Sequence, residues 1–403
     1  MNVFIVHAHP EPQSFNGALR RPDVPTFAQA VGCARMAAID CRGVLKDIAT
    51  SCEMTLRPRR RRAKAVGRTR QFATLHRNGS RFCIPIAALL MGISGCVQPP
   101  GCPKSQDPGA TVPPTTSGTV FVGNGDPYAS GPLTVRTTNL AACEQGNLVP
   151  LLIFAPDAPD RYPVVVFQHG FLTTNEAYSE VLRHLAGHGF VVVAPQMYEP
   201  GLAALLGQPT AAEDALTAAK VVDWLPAGLV AILGYTPETS RLGLAGHSRG
   251  GKVAWLELVA DPSRAQAIAG VDPVDGTGGP LGNQARVVQG PFAFSLPTLV
   301  IGTGLGGNCA PAGDNHEQFY AASASPAWHI VVPNAGHADM LDEATALAAS
   351  SLCPGGPDRA GMRRLTAGLL VAFFRGSLQG DATALAYLTD RASAPLPIEF
   401  EAK

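Results

Sequence analysis

From about Thr119 onward the chain alternates between short apolar runs and longer segments in which apolar residues return every three or four positions. The runs are TVFVG (119–123), LTVRT (133–137), LVPLLIFAP (148–156), PVVVFQHG (163–170), FVVVAP (190–195), RLGLAG (241–246), AIAGVDP (267–273), PTLVIGTG (297–304) and WHIVVP (328–333). Most are near-continuous in Val, Ile and Leu, which predicts strands buried on both faces. The helical period occupies the gaps, at 175–189, 211–225, 250–260 and 361–376. Strands alternating with helices predict one α/β domain over residues 119–400, with a mostly parallel central sheet and helices on both faces. No internal repeat interrupts this pattern.

Upstream the pattern breaks. The first nineteen residues, MNVFIVHAHPEPQSFNGAL, form a strand-like run followed by a polar loop. They resemble the N-terminus of flavodoxin-like quinone reductases, where such a loop cradles a flavin phosphate. That resemblance implies a flavin-dependent quinone reductase as a reading from another class, but that fold needs several more βα units, and a basic stretch follows instead.

Charge sharpens the division. Residues 1–95 carry 15 Lys and Arg against 5 Asp and Glu, whereas residues 96–403 carry 16 against 26. The run RPRRRRAKAVGRTR (57–70) lacks interleaved aromatic residues and any DNA-binding motif, so nucleic acid is not the expected partner. Next comes RNGSRFCIPIAALLMGISGC (77–96), with basic residues, an apolar stretch and then Ile93-Ser94-Gly95-Cys96. The stretch is too short to span a bilayer as a helix of roughly 20 residues and has the layout of a secretory signal. Its end resembles a bacterial lipobox, which implies lipidation at Cys96 and a possible membrane tether in the cell envelope.

The expectation is therefore a basic leader over 1–76 that is not part of the mature fold, and a lipoprotein-type signal over 77–96. An authentic start near Val66 fits the usual length of such signals. Residues 97–118, rich in Pro, Gly, Ser and Thr, form an extended linker.

With Cys96 set aside, the body keeps Cys102, Cys143, Cys309 and Cys353. An even number suits disulfides in an oxidising compartment. Three connectivities exist; Cys102–Cys143 and Cys309–Cys353 are favoured because each pair lies within one region of the chain. No Cys or His spacing suggests a metal site.

The strongest chemical signal is GLAGHSRGGKVAW (243–255), in which a strand meets Gly246-His247-Ser248-Arg249-Gly250 and then a helix. Glycines flanking the central residue permit a sharp strand-to-helix turn that lifts a hydroxyl above the sheet, so Ser248 is the candidate nucleophile. A serine hydroxyl needs a base to take its proton and a carboxylate to orient that base, in the order Ser, acid, His for this motif. His337, just after the last predicted strand, suits the base. His316 is a rival that falls too early, on the helical pattern of DNHEQFY. For the acid, Asp272, Asp275 and Asp314 all remain, with Asp314 favoured by its place after the later strand. Backbone N–H groups of Arg249 and of Phe171, in the His169-Gly170-Phe171 loop, are the expected oxyanion donors; His169 is read as shaping that loop.

The segments VVVFQHGFLTTNEAYSEVLRHLAGHGFVVVAPQMY (164–198), GHSRGGK (246–252), GVDPVDG (270–276), IGTGLGGNCAP (301–311), NHEQFY (315–320) and GHADML (336–341) together resemble the chlorophyllase family of α/β-hydrolases, in the same order. The resemblance covers about residues 120–380. It implies an α/β-hydrolase fold and a serine carboxylic-ester hydrolase acting on the phytyl ester of chlorophyll through an acyl-enzyme. Ser248 would be the nucleophile, Asp272 the acid in place of Asp314, and His337 the base, with no metal or organic cofactor required. A general exported carboxylesterase, lipase or polyesterase, with a small-molecule or polymeric ester as substrate, is the alternative.

Overall fold

The computed structural model describes residues 119–206, 209–276 and 284–403. The flavodoxin-like segment, the basic leader, the signal segment with Cys96, and the linker with Cys102 lie outside the described residues.

Nine strands form one sheet in the order β1-β2-β4-β3-β5-β6-β7-β8-β9. They are β1 (Val135–Leu140), β2 (Leu151–Pro156), β3 (Pro163–Gln168), β4 (Val191–Pro195), β5 (Glu238–His247), β6 (Ala267–Val271), β7 (Thr298–Thr303), β8 (Ala327–Val332) and β9 (Glu399–Ala402). Strands β4, β3, β5, β6, β7 and β8 run parallel, while β1, β2 and β9 pair antiparallel at the edges. The principal helices around the sheet are α1 (Ser179–Gly187), α2 (Ala211–Leu233), α3 (Arg249–Ala260), α4 (His316–Ala322), α5 (Glu343–Ala349) and α6 (Arg359–Phe374).

Alternate strand residues feed two cores. Val165, Phe167, Val192 and Ala245 pack with α1 and α6 on one face. Val164, Val166, Val193 and Leu244 pack with α2, α3 and Phe319 of α4 on the other. This two-sided burial is why the inner strands read as unbroken apolar runs. From β3 the chain crosses through α1 to β4 on one side, then through α2 to β5 on the other. The order reverses at the β3/β5 boundary, so a crevice opens at the carboxyl ends of these two strands, where open α/β sheets bind ligands.

Three elements differ from the sequence expectation. Residues 119–123 form no strand: Phe121 N–H donates to the Arg161 carbonyl, Gly123 N–H donates to Gln379 Oε1, and the Phe121 ring packs 5.0 Å from that of Tyr162. A side chain and a loop take the donors that a ladder would need. Helix α2 does not stop before Pro226 but runs on to Leu233, where Gly234 caps it in the left-handed region. Proline removes one helical hydrogen bond, while Leu225, Leu229 and Leu233 stay buried in the core and hold the helix across the gap. Strand β9 has no counterpart in the apolar pattern, because EFEA has few apolar positions and no β-branched residue; it forms by pairing with β8.

The disulfide Cys309–Cys353 is present and closes a 44-residue separation. Cys143 is also a half-cystine.

Glu257 on α3 is buried, with Gln168 Nε2 at 3.4 Å and no hydrogen-bond partner on Oε2 among the described residues. Burial pushes its carboxyl up to about 8, against the opposing pull of Arg264 and Gln168. An unfolded glutamate releases its proton near pH 4.3, so between there and about pH 8 the folded chain holds a proton that the unfolded chain has lost. The stability contributed by this neutral acid is complete below that window and is lost as pH rises through it, at up to about 1.4 kcal/mol per pH unit. Thermal unfolding of Glu257→Gln between pH 5 and 8 is expected to show a flatter decline than the parent and a higher Tm at pH 8; parallel pH slopes would contradict a buried neutral acid here.

Candidate active site

The site is assembled from loops that leave the carboxyl ends of β3, β5, β6, β7 and β8. Its fixed point is Ser248, which follows β5 and carries φ 54° and ψ −124°. A positive φ is unfavourable for any residue with a Cβ, and the flanking glycines permit the close packing that holds it there. A Cβ on Gly246 would lie 2.4 Å from the Gly250 backbone, and one on Gly250 would lie 2.2 Å from the Gln168 carbonyl oxygen. The spacing of the motif therefore records a close approach of strand, helix and the end of β3.

His337 lies in the loop after β8. Its Nε2 is 2.8 Å from Ser248 Oγ, and its Nδ1 is 2.6 Å from Asp272 Oδ2. Asp272 follows β6, itself at φ 42°, and is completely buried. It accepts the Thr303 N–H at 3.0 Å on Oδ1 and the Thr303 hydroxyl at 2.8 Å on Oδ2. Burial pushes the carboxyl up, but the hydrogen bond and charge of His337, then His316 and Thr303, outweigh it and hold Asp272 below the ordinary carboxylate range. An ionised Asp272 accepts from His337 Nδ1–H and leaves Nε2 as the lone-pair nitrogen that faces the serine hydroxyl. The arrangement can therefore withdraw a proton from Ser248 Oγ and hold the resulting imidazolium.

The other candidates are placed elsewhere. Asp314, favoured by its position in the chain, pairs with Arg286 and has no bond to His337. Asp275 accepts Val287 N–H at 2.8 Å and Val288 N–H at 2.9 Å, and Lys252 Nζ lies 3.1 Å away. That buried ion pair ties α3 to the segment after β6. His316 sits behind the acid, with Nε2 at 3.9 Å from Asp272 Oδ1 and Nδ1 at 2.8 Å from His329 Nε2. It approaches the carboxylate through Oδ1, whereas His337 bonds to Oδ2.

Around the entrance, the N–H groups of Phe171 and Arg249 make no hydrogen bond among the described residues. The Arg249 side chain is otherwise engaged: it pairs with Asp214, donates to the Pro209 carbonyl at 2.7 Å and lies 4.8 Å from the centre of the Tyr198 ring. Burial pushes Asp214 up to about 6, with Arg249 pulling it back. His169 shapes its own loop, because Met197 N–H donates to Nε2 at 3.1 Å, leaving Nδ1–H to meet the Gly170 carbonyl at 2.9 Å. Burial lowers its pKa to about 4 and keeps it neutral.

Sequence reasoning did not single out Thr303 as a support of Asp272, nor His316 as its neighbour. The only signals available were the adjacency of IGTG to a strand end and the phase of a short helix, and neither carries a distance. Among the described residues no group of three or more His, Cys, Asp or Glu is arranged to hold a metal ion.

A model of the Chlorophyllase family matches residues 124–403. Chlorophyllase-2 of Arabidopsis thaliana is 36% identical over 276 residues, covering 62% of this chain and 84% of that protein. Chlorophyllase-1, chloroplastic, of Citrus unshiu is 34% identical over 289 residues, or 68% of this chain and 85% of that protein. Chlorophyllase type 0 of Chenopodium album is 32% identical over 299 residues, 68% and 83% of the two chains.

An organophosphorus probe should label Ser248 selectively. Asp272→Asn is expected to slow that labelling by roughly 10³–10⁴-fold, because the wrong tautomer of His337 would face the serine. Asp314→Asn should stay within about threefold of the parent on the same reasoning. A reversed ranking of the two rates would return the acid role to Asp314.

Proposed function

This chain belongs to the chlorophyllase family of α/β-hydrolases, and on that premise we propose that it hydrolyses carboxylic esters with Ser248 as nucleophile, the phytyl ester of chlorophyll-like molecules being the substrate. The observation that carries the reading is the continuous hydrogen-bonded chain from Ser248 Oγ through His337 to Asp272, at 2.8 and 2.6 Å.

In the first half-reaction Ser248 Oγ attacks the ester carbonyl carbon while His337 Nε2 takes its proton. Negative charge develops on the former carbonyl oxygen, where the N–H groups of Phe171 and Arg249 serve as donors that need no reorganisation. Collapse of the tetrahedral intermediate breaks the bond to the alcohol oxygen, which receives the proton from His337 and leaves as phytol. In the second half, His337 takes a proton from water, and the hydroxide oxygen attacks the acyl carbon. The bond to Ser248 then breaks, Oγ regains its proton, and the chlorophyllide acid departs. Asp272 keeps its charge throughout and stabilises the imidazolium twice per cycle.

A long apolar alcohol is in keeping with the surroundings. Phe171 is 37% exposed, and it follows Gly170, where a Cβ would lie 3.4 Å from that of Ser248. Apolar side chains left in water near a reactive centre suit a ligand that covers them.

The export reading belongs to the same proposal: the domain is held at a membrane through lipid on Cys96, with the Pro-, Gly-, Ser- and Thr-rich residues 97–118 between the two. Radiolabelled palmitate incorporated by the parent and not by Cys96→Ser would support it, and equal labelling of both would remove it.

Purified protein is expected to convert chlorophyll to chlorophyllide and phytol, followed by partition of the acid from the organic phase. Ser248→Ala should lower turnover by roughly 10⁴-fold or more. Turnover of p-nitrophenyl butyrate or of polyester films without chlorophyll turnover would move the assignment to a general carboxylesterase. Full activity in Ser248→Ala would end the serine mechanism.

A further inference from the structure

The residue between Gly246 and Ser248 carries more than the spacing of the motif. His247 is buried, and its ring centre lies 4.7 Å from that of His337. Its Nε2 is 2.8 Å from the His337 carbonyl oxygen, and its Nδ1 is 2.8 Å from the Tyr178 hydroxyl. That hydroxyl in turn lies 2.9 Å from Gly170 N–H. Burial, with the neighbouring His337 adding to it, lowers the His247 pKa to about 3, so the ring carries one proton.

Those facts fix the direction of every bond. A backbone carbonyl only accepts, so Nε2–H donates to His337. The unprotonated Nδ1 must then accept from the Tyr178 O–H, whose oxygen accepts the Gly170 N–H. The chain starts in the loop after β3, crosses the serine turn and ends on the main chain of His337. It also takes His247 out of competition as a base, since its lone pair is already occupied.

The same loop is pinned from its other side. The Gly170 carbonyl accepts from the Thr173 hydroxyl at 3.1 Å and the Tyr198 hydroxyl at 3.4 Å, besides His169. In a trans peptide the next N–H points opposite to that carbonyl, so these bonds also set the direction of Phe171 N–H. Gly170 must lack a side chain for this to fit, because a Cβ there would lie 2.9 Å from His247 Nδ1 and 3.0 Å from the Tyr178 hydroxyl.

We propose that Tyr178 and His247 are positioning residues, which hold the Phe171 N–H donor and the His337 base in register about Ser248. The proposal rests on the ester-hydrolase reading above and concerns the geometry of the transition state, since neither side chain is assigned a contact with substrate.

The test begins with the parent enzyme and Ser248→Ala on one ester; turnover that the serine variant abolishes establishes the site independently of these two residues. Tyr178→Phe keeps the ring and removes the hydroxyl. Its kcat is expected to fall roughly 10–100-fold, the scale of a small misplacement of reacting groups, with KM within about twofold because substrate binding does not use the oxyanion donors. Affinity for a boronic acid, which occupies the tetrahedral geometry on Ser248, should fall in step with kcat. His247→Gln can still donate to the His337 carbonyl and should retain more kcat than His247→Leu at matched thermal stability. In an enzyme whose Ser248 has been verified, unchanged kcat and boronate affinity in Tyr178→Phe would overturn the proposal. Equal losses in the Gln and Leu variants would overturn it as well, assigning the effect to packing. Should the parent itself turn over no ester, the hydrolase reading falls first and this one with it.

Discussion

The serine turn is the constraint on which the rest of the site depends. Ser248 is held at a positive φ because strand β5 enters helix α3 with almost no space to turn, and two glycines accept contacts that any side chain would forbid. This strain of order 1–3 kcal/mol persists because both flanks are fixed: β5 is central to the sheet, and α3 is buried against it through Trp255 and Leu258. The serine hydroxyl is thereby presented above the sheet edge, at the point where strand order reverses. The loop after β3 and the loop after β8 both meet it there.

Buried charge is arranged around that turn so that each carboxylate has one task. Asp272 is stripped of water but receives three donors, and it stays ionised. Asp275, three residues further on, satisfies Lys252 and two backbone N–H groups, and so braces the segment that carries Asp272. Glu257 has only the Gln168 amide, at 3.4 Å, among the described residues, and burial favours its neutral form. The three acids differ in environment and not in chemistry, which is why their roles separate. The disulfide Cys309–Cys353 works from outside, fastening the loop after β7 to the segment whose Pro354 carbonyl lies against Gly336, next to His337.

Much of this was legible along the chain. Eight of the nine strands overlap a predicted run; for the seven from β2 to β8 this is because burial on both faces demands apolar residues at successive positions and leaves a local record, whereas edge strand β1 is largely polar. The predicted strand at 119–123 shows the limit of that record: T-V-F-V-G has strand composition, but Gln379 and Arg161 capture its donors from far along the sequence. Strand β9 is the converse, a polar segment recruited by the free edge of β8. Composition reports what a segment can bury, and pairing depends on what else is nearby.

For the site, the sequence by itself determined the serine turn, since its glycines flank the turn they permit, and it determined the order of elements that brings a histidine after the last parallel strand. The acid was a different matter. From the residues alone Asp272, Asp275 and Asp314 all remained, with position in the chain leaning to Asp314, and the choice of Asp272 came from resemblance to a family. Only the tertiary structure decided which carboxylate meets the histidine, by bringing Thr303 and His337 onto Asp272 while giving Asp275 to Lys252 and Asp314 to Arg286. The same holds for His247, whose partners His337 and Tyr178 lie 90 and 69 residues away. A hydrogen bond is decided by distances of a few tenths of an ångström between groups that folding alone brings together, and spacing along a chain contains no such distance.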